Sequence, residues 1–321
     1  MKTWKSLTLC LAALICLVFF TAPKAEAATS VYYYEVNDGE ATITDVDTSI
    51  RGNITIPSTL GGYPVTSIGY AAFYYCTSLT NITLPDRVSY IGDFAFCRCT
   101  GLQNVTLGKR VKNIDGYAFY ECSSLQSINI PNTVTRIGYN AFSGCNSLKD
   151  VYITDPSAWC KIESDSIMNT PAYYMEHLHI LDDNGNAVTE IVLDDSVTEI
   201  PSYAFLGCTS LTSVTIPDSV TTIGNKAFKN CAGLTDITFP DSVTKVGNSA
   251  FSGCKSLKTV YYSGTQTQWQ KITVESYNSR LTDANVQYDH IHDYSLFPTE
   301  TVAPTCTDSG FTVLVKNCEL S

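Results

Sequence analysis

The four histidines fall in two His-x-His pairs, His177 with His179 and His290 with His292. Alternate residues of a strand point to one face, so each pair could grip a metal ion if Glu176 or Asp293 supplied a third ligand. The same spacing also suits surface histidines shared by two equivalent segments. Thiols are the other reactive groups. Cys97 and Cys160 could each be an exposed thiol, but a buried or incidental one is the favoured reading, because no histidine or basic cluster lies near either in sequence to lower its pKa. The chain has no glycine-rich phosphate loop, no H-E-x-x-H and no G-x-S-x-G. Neither a catalytic set nor a bound cofactor or metal is expected.

Most of the cysteines belong to a different pattern. Phe73, Phe96, Phe119 and Phe142 recur every 23 residues, as do Phe205, Phe228 and Phe251. Three residues after each comes a cysteine (Cys76, Cys99, Cys122, Cys145, Cys208, Cys231, Cys254), and three further on a leucine, from Leu79 to Leu257. A fixed period in this range marks a stacked solenoid. One repeat reads Leu211, Val214, Ile216, Pro217, Val220, Ile223, Gly224, Ala227, Phe228, Cys231. Val214 and Ile216 share one face of a strand that Pro217 ends, Gly224 permits a turn, and Ala227-Phe228 to Cys231 suits a short helical or 3₁₀ turn. The predicted fold is a β-rich solenoid, a leucine-rich-repeat stack of 23-residue coils with one parallel strand per coil. Neighbouring coils about 4.7–4.9 Å apart place in-register Cβ atoms slightly too far apart for disulfides, which want about 3.5–4.5 Å. Buried free thiols are expected.

Residues between the inward positions of each strand face out. They stack into a polar ribbon that includes Asn81, Thr83, Asn104, Thr106, Ser127, Asn129, Asp150 and Tyr152, then Ser213, Thr215, Asp236, Thr238, Thr259 and Tyr261. Of these, Asn81, Thr83, Asn104, Thr106, Asn129, Tyr152, Thr215, Thr238 and Tyr261 are the candidate partner-binding residues. Tyrosines sit at the end of each run, and aromatic residues are common interface anchors. Threonine also simply suits exposed strands.

Lys2 and Lys5 precede an apolar run from Leu7 to Phe20 and an Ala25-Glu26-Ala27 cleavage site, so residues 1–27 read as a signal peptide. Without them, 17 basic residues face 30 acidic ones, a net charge of −13. That balance argues against nucleic acid and anionic membrane as partners, and no later segment is apolar enough for membrane insertion. Residues 28–181 are expected to hold an N-terminal cap, four coils and a first cap segment containing Trp159. Residues 182–292 are expected to hold three coils and a second cap segment containing Trp269. Residues 293–321, with Cys306 and Cys318, read as a linker and the truncated start of a further module.

The motif A-F-x-x-C-x-S-L-x-x-I-x-L-P-x-x-V-x-x-I-G, carried by Phe73-x-x-Cys76-x-Ser78-Leu79 through Ile91-Gly92, resembles the BspA-like leucine-rich-repeat family of bacterial surface proteins over about residues 45–290. The resemblance implies a secreted or cell-surface, non-catalytic, adhesin-like binding protein whose partner is a protein or glycan on a host or neighbouring cell. A rigid spacer within a larger surface protein is the alternative, and an enzyme a distant one. Ribbon side chains that vary from coil to coil favour binding; invariant ones would favour a spacer. If the inward and outward assignments hold, Phe119→Ala costs about 3–5 kcal/mol, whereas Thr106→Ala stays within about 0.5 kcal/mol. Equal shifts of the two variants in thermal melting would refute the assignment.

Overall fold

Alternating β-branched and polar residues fold as the repeat requires. In the computed structural model, which describes residues 31–47, 49–164 and 166–288 and the strand pair Cys306–Thr307 with Thr312–Val313, each coil lays down a front strand. Leu79–Thr83, Asn104–Thr106, Ser127–Asn129 and Asp150–Ile153 pair in parallel, with Gly52–Thr55 on one side and His177–Ile180 on the other. The register is one repeat long, Asn81 opposite Asn104 and Ser127 opposite Asp150. A second front sheet runs from Glu190–Val192 through Ser213–Thr215, Asp236–Phe239 and Thr259–Tyr262 to Asn285–Tyr288.

The second apolar pair of each repeat also forms a strand, so a coil contributes two strands where the sequence suggested one. Tyr90–Ile91, Asn113–Ile114 and Arg136–Ile137 extend a back sheet begun by the hairpin Tyr32–Asn37 and Glu40–Val46 and by Tyr63–Ile68. Glu199–Ile200, Thr222–Ile223, Lys245–Val246 and Thr273–Val274 form its counterpart. Between front and back lies one apolar core, continuous from Ala41 to Leu281.

The third side of the coil is built from linked turns. Two residues per coil are left-handed, the one before Ala-Phe and the one before Cys: Phe94 and Arg98 (φ 59° and 60°), Tyr117 and Glu121 (57° and 55°), Lys226 and Asn230 (56° and 63°). A left-handed residue other than glycine costs roughly 1–2 kcal/mol. The conformation lets backbone N–H groups point alternately along two directions. Ala72, Tyr74 and Cys76 donate to carbonyls three residues back, whereas Ala71, Phe73 and Tyr75 donate to Asp93, Ala95 and Cys97 of the next coil. Every backbone donor from Ala71 to Cys76 is thereby paired. Among the described residues, α-helix occurs only in short pieces, α1 (Pro156–Cys160), α2 (Gln266–Trp269) and α3 (Ser279–Thr282).

Inside this edge the phenylalanine rings stack, with centroids 4.9, 5.2 and 5.2 Å apart from Phe73 to Phe142 and 5.1 and 5.2 Å apart from Phe205 to Phe251. The cysteines do more than fill space. Five of the seven ladder thiols donate to the phenylalanine carbonyl of the preceding coil: Cys99 to Phe73 (3.0 Å), Cys122 to Phe96 (3.1 Å), Cys145 to Phe119 (3.2 Å), Cys231 to Phe205 (3.0 Å) and Cys254 to Phe228 (3.0 Å). The nine cysteines from Cys76 to Cys254 are all free. Burial pushes the thiol of Cys208 up to about 11 and that of Cys254 up to about 12, and raises those of Cys122 and Cys231 as well. Cys97 and Cys160 are buried too, the reading favoured from sequence over exposed thiols.

Two non-repeating segments close the runs of coils with the same devices. Asp155 caps α1 and Thr265 caps α2, and each cap stands four residues before a tryptophan. Trp159 donates its indole N–H to Ala204 O at 2.7 Å, and Trp269 packs edge-on to Phe239 and Tyr262. Buried Asn169 and Asn278 stand in for a missing next coil. Their Oδ1 atoms accept from the N–H groups of Asn140 (2.8 Å) and Phe251 (2.9 Å). Sequence comparison of the two segments aligned their tryptophans but not these asparagines.

At the junction of the two runs, Gly207 (φ +65°) abuts Glu176, and a Cβ there would lie 2.0 Å from the Glu176 carbonyl oxygen. Gly185 has a similar φ, +83°, with open space around it. Gly207→Ala is therefore expected to destabilise by about 1–3 kcal/mol more than Gly185→Ala, the added cost being overpacking rather than dihedral preference. Equal losses in denaturant melts would show that the contact yields freely. The ladder thiols are expected to stay closed to a thiol reagent until denaturation, half-buried Cys76 reacting first. Disulfides between successive ladder positions, found by mass spectrometry, would overturn this.

Candidate functional site

The parallel register brings the outward residues of the front strands into columns. Thr83 lies opposite Thr106 and both are exposed. In the second front sheet Thr215 lies opposite Thr238, and Thr238 opposite Tyr261, all half-buried. The neighbouring column in the first sheet is bonded to itself. Asn81 Nδ2 donates to Asn53 Oδ1, Asn104 Nδ2 to Asn81 Oδ1 (2.7 Å) and Ser127 Oγ to Asn104 Oδ1 (2.7 Å).

Asn129 departs from the ribbon's pattern. Its Oδ1 accepts from Leu107 N (2.7 Å) and its Nδ2 donates to Leu107 O (3.2 Å). In this coil Gly108 takes the place of the usual proline, and strand pairing stops at Val105 with Ile128. The amide replaces the missing backbone bonds, so Asn129 holds a corner of the coil.

Where the first ribbon ends, Asp150, Tyr152, His177 and His179 come together. His179 Nε2 lies 2.8 Å from Asp150 Oδ1, and its ring stacks on Tyr152 at 4.7 Å and 16°. His177 shares the face, its ring centroid 6.4 Å from that of His179. Among the described residues no group of three His, Cys, Asp or Glu side chains is placed to hold a metal ion. His290, His292 and Asp293 lie outside the described residues, as do residues 1–27, read from sequence as a signal peptide, and Cys318. Among the described residues no helix is long and apolar enough to cross a membrane.

A second surface was not read from sequence. The linked-turn edge of the first run is paved with aromatic rings, Tyr70 to Phe94 (5.8 Å), Phe94 to Tyr117 (4.8 Å, 2° between planes) and Tyr117 to Tyr139 (5.7 Å). Tyr70 is 70% exposed, Tyr139 55% and Tyr75 53%. Cations already pair with tyrosines along the turn edges. In the first run Arg98 sits 5.5 Å from the Tyr75 centroid and donates to its hydroxyl (3.2 Å) while its Nε bonds Glu121 at 2.7 Å; in the second run Lys226 sits 4.8 Å from the Tyr203 centroid and donates to its hydroxyl (3.1 Å). The signal was available, since Phe94, Tyr117 and Tyr203 share one repeat position and Tyr70 and Tyr139 share the position before it.

Several solved structures are similar to this chain. A leucine-rich repeat protein of T. pallidum is 25% identical, with 82% of this chain and 98% of that one covered and a TM-score of 0.40. A leucine-rich cell surface protein from Faecalibacterium prausnitzii A2-165 is 25% identical, covering 79% and 99%, with a TM-score of 0.33. A leucine-rich repeat protein from Bacteroides capillosus ATCC 29799 is 36% identical, covering 40% and 96%, with a TM-score of 0.36. No curated protein matches the chain. The family described as BspA type leucine-rich repeat region matches residues 52–178 and 183–298 in six copies. With a 23-residue coil, its phenylalanine and cysteine ladders and a match over most of its length, the chain belongs to the BspA-type leucine-rich repeat family.

Proposed function

We propose that this is a secreted or cell-surface, non-catalytic binding protein that presents the front-strand ribbon to a protein or glycan on a host or neighbouring cell. The observation that carries the reading is the in-register row of outward side chains, with exposed hydroxyls at Thr83 and Thr106 and a Tyr152–His179 stack at its end. Its composition changes along the stack, from asparagine and threonine to aspartate, tyrosine and histidine. A partner touching several coils therefore meets a distinct pattern rather than a uniform one. Leucine-rich-repeat stacks offer such extended surfaces without needing a catalytic centre. The export signal read in residues 1–27 supports a location outside the cytoplasm. The acidic net charge, −11 for the whole chain, disfavours nucleic acid and anionic membrane.

A rigid spacer is the second reading. It is favoured by one observation, the Asn53–Asn81–Asn104–Ser127 column, whose hydrogen bonds are spent on one another.

The two readings separate in a binding screen of the full chain against matrix proteins, mucins and bacterial surface glycans. A partner identified there should lose about tenfold or more in affinity to the combined variant Thr83→Glu, Thr106→Lys, Thr215→Glu, Thr238→Lys. Opposite charges on facing positions avoid repulsion, changes at exposed Thr83 and Thr106 stay within about 0.5 kcal/mol, and thermal melting checks the fold for the half-buried Thr215 and Thr238. Asn129 is left intact because of its bonds to Leu107. Unchanged affinity of the folded variant would rule out the ribbon as the binding face.

A further inference from the structure

The linked-turn edge of the first run carries more aromatic surface than the fold needs. At the left-handed position before Ala-Phe, the first run has Ala71, Phe94, Tyr117 and Asn140, and the second has Tyr203, Lys226 and Ser249. One residue earlier, the first run has Tyr70, Asp93, Gly116 and Tyr139, and the second has Ser202, Asn225 and Asn248, so only the first carries an unbroken row of four rings. Both runs make the same turns and the same inter-coil bonds. Bulky residues at positive φ are uncommon, so Phe94 and Tyr117 stand against the local backbone preference. Their exposed neighbours enlarge the apolar patch, and patches of this kind mark interaction sites.

We propose that the Tyr70–Phe94–Tyr117–Tyr139 edge is a binding surface for an extended cationic segment of a protein partner, whose arginine or lysine side chains lie over the rings and pair with Asp93. This surface is separate from the ribbon, and the inference does not depend on the ribbon binding anything.

Charge selects the occupant. The chain is acidic, and exposed Asp93 occupies the same column as Tyr70 and Tyr139, its carboxylate against Gly116. The nearby Asp115 is already taken, as it accepts the Tyr90 hydroxyl. The linked-turn edges of both runs already bring cations to tyrosines. Arg98 lies 5.5 Å from the Tyr75 centroid, donates to its hydroxyl (3.2 Å) and bonds Glu121, and in the second run Lys226 lies 4.8 Å from the Tyr203 centroid and donates to its hydroxyl (3.1 Å). A ring face beside a carboxylate attracts a guanidinium through both the ring quadrupole and the ion pair. Spacing fits as well. From Tyr70 to Tyr139 is three coil steps, about 14–15 Å, and residues four apart on an extended chain are about 13–14 Å apart. Cationic residues at alternate positions of such a segment would fall on successive parts of the edge.

The test uses the full chain and three seven-residue probes, Gly-Arg-Gly-Arg-Gly-Arg-Gly and its citrulline and glutamate counterparts, titrated at physiological salt by calorimetry. Citrulline keeps the planar shape of arginine without its charge. The matching protein variant is Tyr70→Asn, Phe94→Ser, Tyr117→Ser, Tyr139→Asn, which borrows residues the second run carries at the same positions and leaves the net charge unchanged. The expected result is saturable binding of the arginine probe, no binding of the other two, and a loss of about tenfold or more in the variant. Tyr70→Asn with Tyr139→Asn, the two most exposed rings of the row, serves if the fourfold variant fails to fold, with a smaller loss expected. Failure of the wild-type chain to bind the arginine probe would overturn the proposal. So would equal affinity of the folded variant, which would mean diffuse charge attraction, or equal binding of the citrulline probe. A parallel titration with neutral oligosaccharides completes the test. Binding there that the variant loses, without arginine binding, would make the edge a glycan surface and the proposal wrong.

Discussion

The hydrogen bonds that pass from coil to coil at the phenylalanine turn constrain everything else in this protein. They require N–H groups to alternate between an intracoil and an intercoil partner, and that alternation requires two left-handed residues per coil. Once the turn is fixed, the period is fixed at 23 residues, the rings of Phe73 to Phe142 must stack, and each thiol that follows another coil of its run comes to rest beside the preceding phenylalanine carbonyl. The cysteine is then the one small apolar residue that also carries a donor for that oxygen, weak though an S–H donor is. Front and back sheets inherit their register from the same constraint, and with it the columns that form the ribbon.

Much of this was legible in the residues. The Phe-x-x-Cys-x-x-Leu spacing fixed the coil length, and the alternation around Val214 and Ile216 marked the front strand and its outward positions. The back strand was harder to see because it is only two residues long, as at Tyr90–Ile91, too short for alternation to register. The short turn with bonds three residues back was expected, but its left-handed residues were not legible, for a physical reason. Apolar residues at spacings of one, three and four suit a helix, and residues such as Phe94, Arg98 and Glu121 do not announce positive φ. Glycine hints at it in only three coils, at Gly144, Gly207 and Gly253.

The candidate surfaces were legible to different depths. The ribbon columns follow from period and alternation, and the pairing of Thr83 with Thr106 is what those predict. That Asn129 would repair a strand break was beyond pattern reading, because it depends on how the chain bends at Gly108. The aromatic edge was hidden by the turn: only when the residues before Ala-Phe are known to point outward do Phe94 and Tyr117 become surface rather than core. The first run thus carries polar columns on its front and aromatic rings along its turn edge, two chemically distinct faces supported by one set of buried ladders.

The identical rungs also determine how the protein answers force. Each coil is bonded only to its neighbours, so tension applied through the chain ends falls on the outermost rung rather than on the whole stack. Once that rung opens, 23 residues are released, and their contour is on the order of 75–80 Å against a coil rise of about 5 Å. The next rung is then loaded in turn. Tethered at one end and held by a partner elsewhere, such a stack behaves as an extensible link that lengthens in equal steps, with Trp159 and Trp269 marking the places where the step size changes.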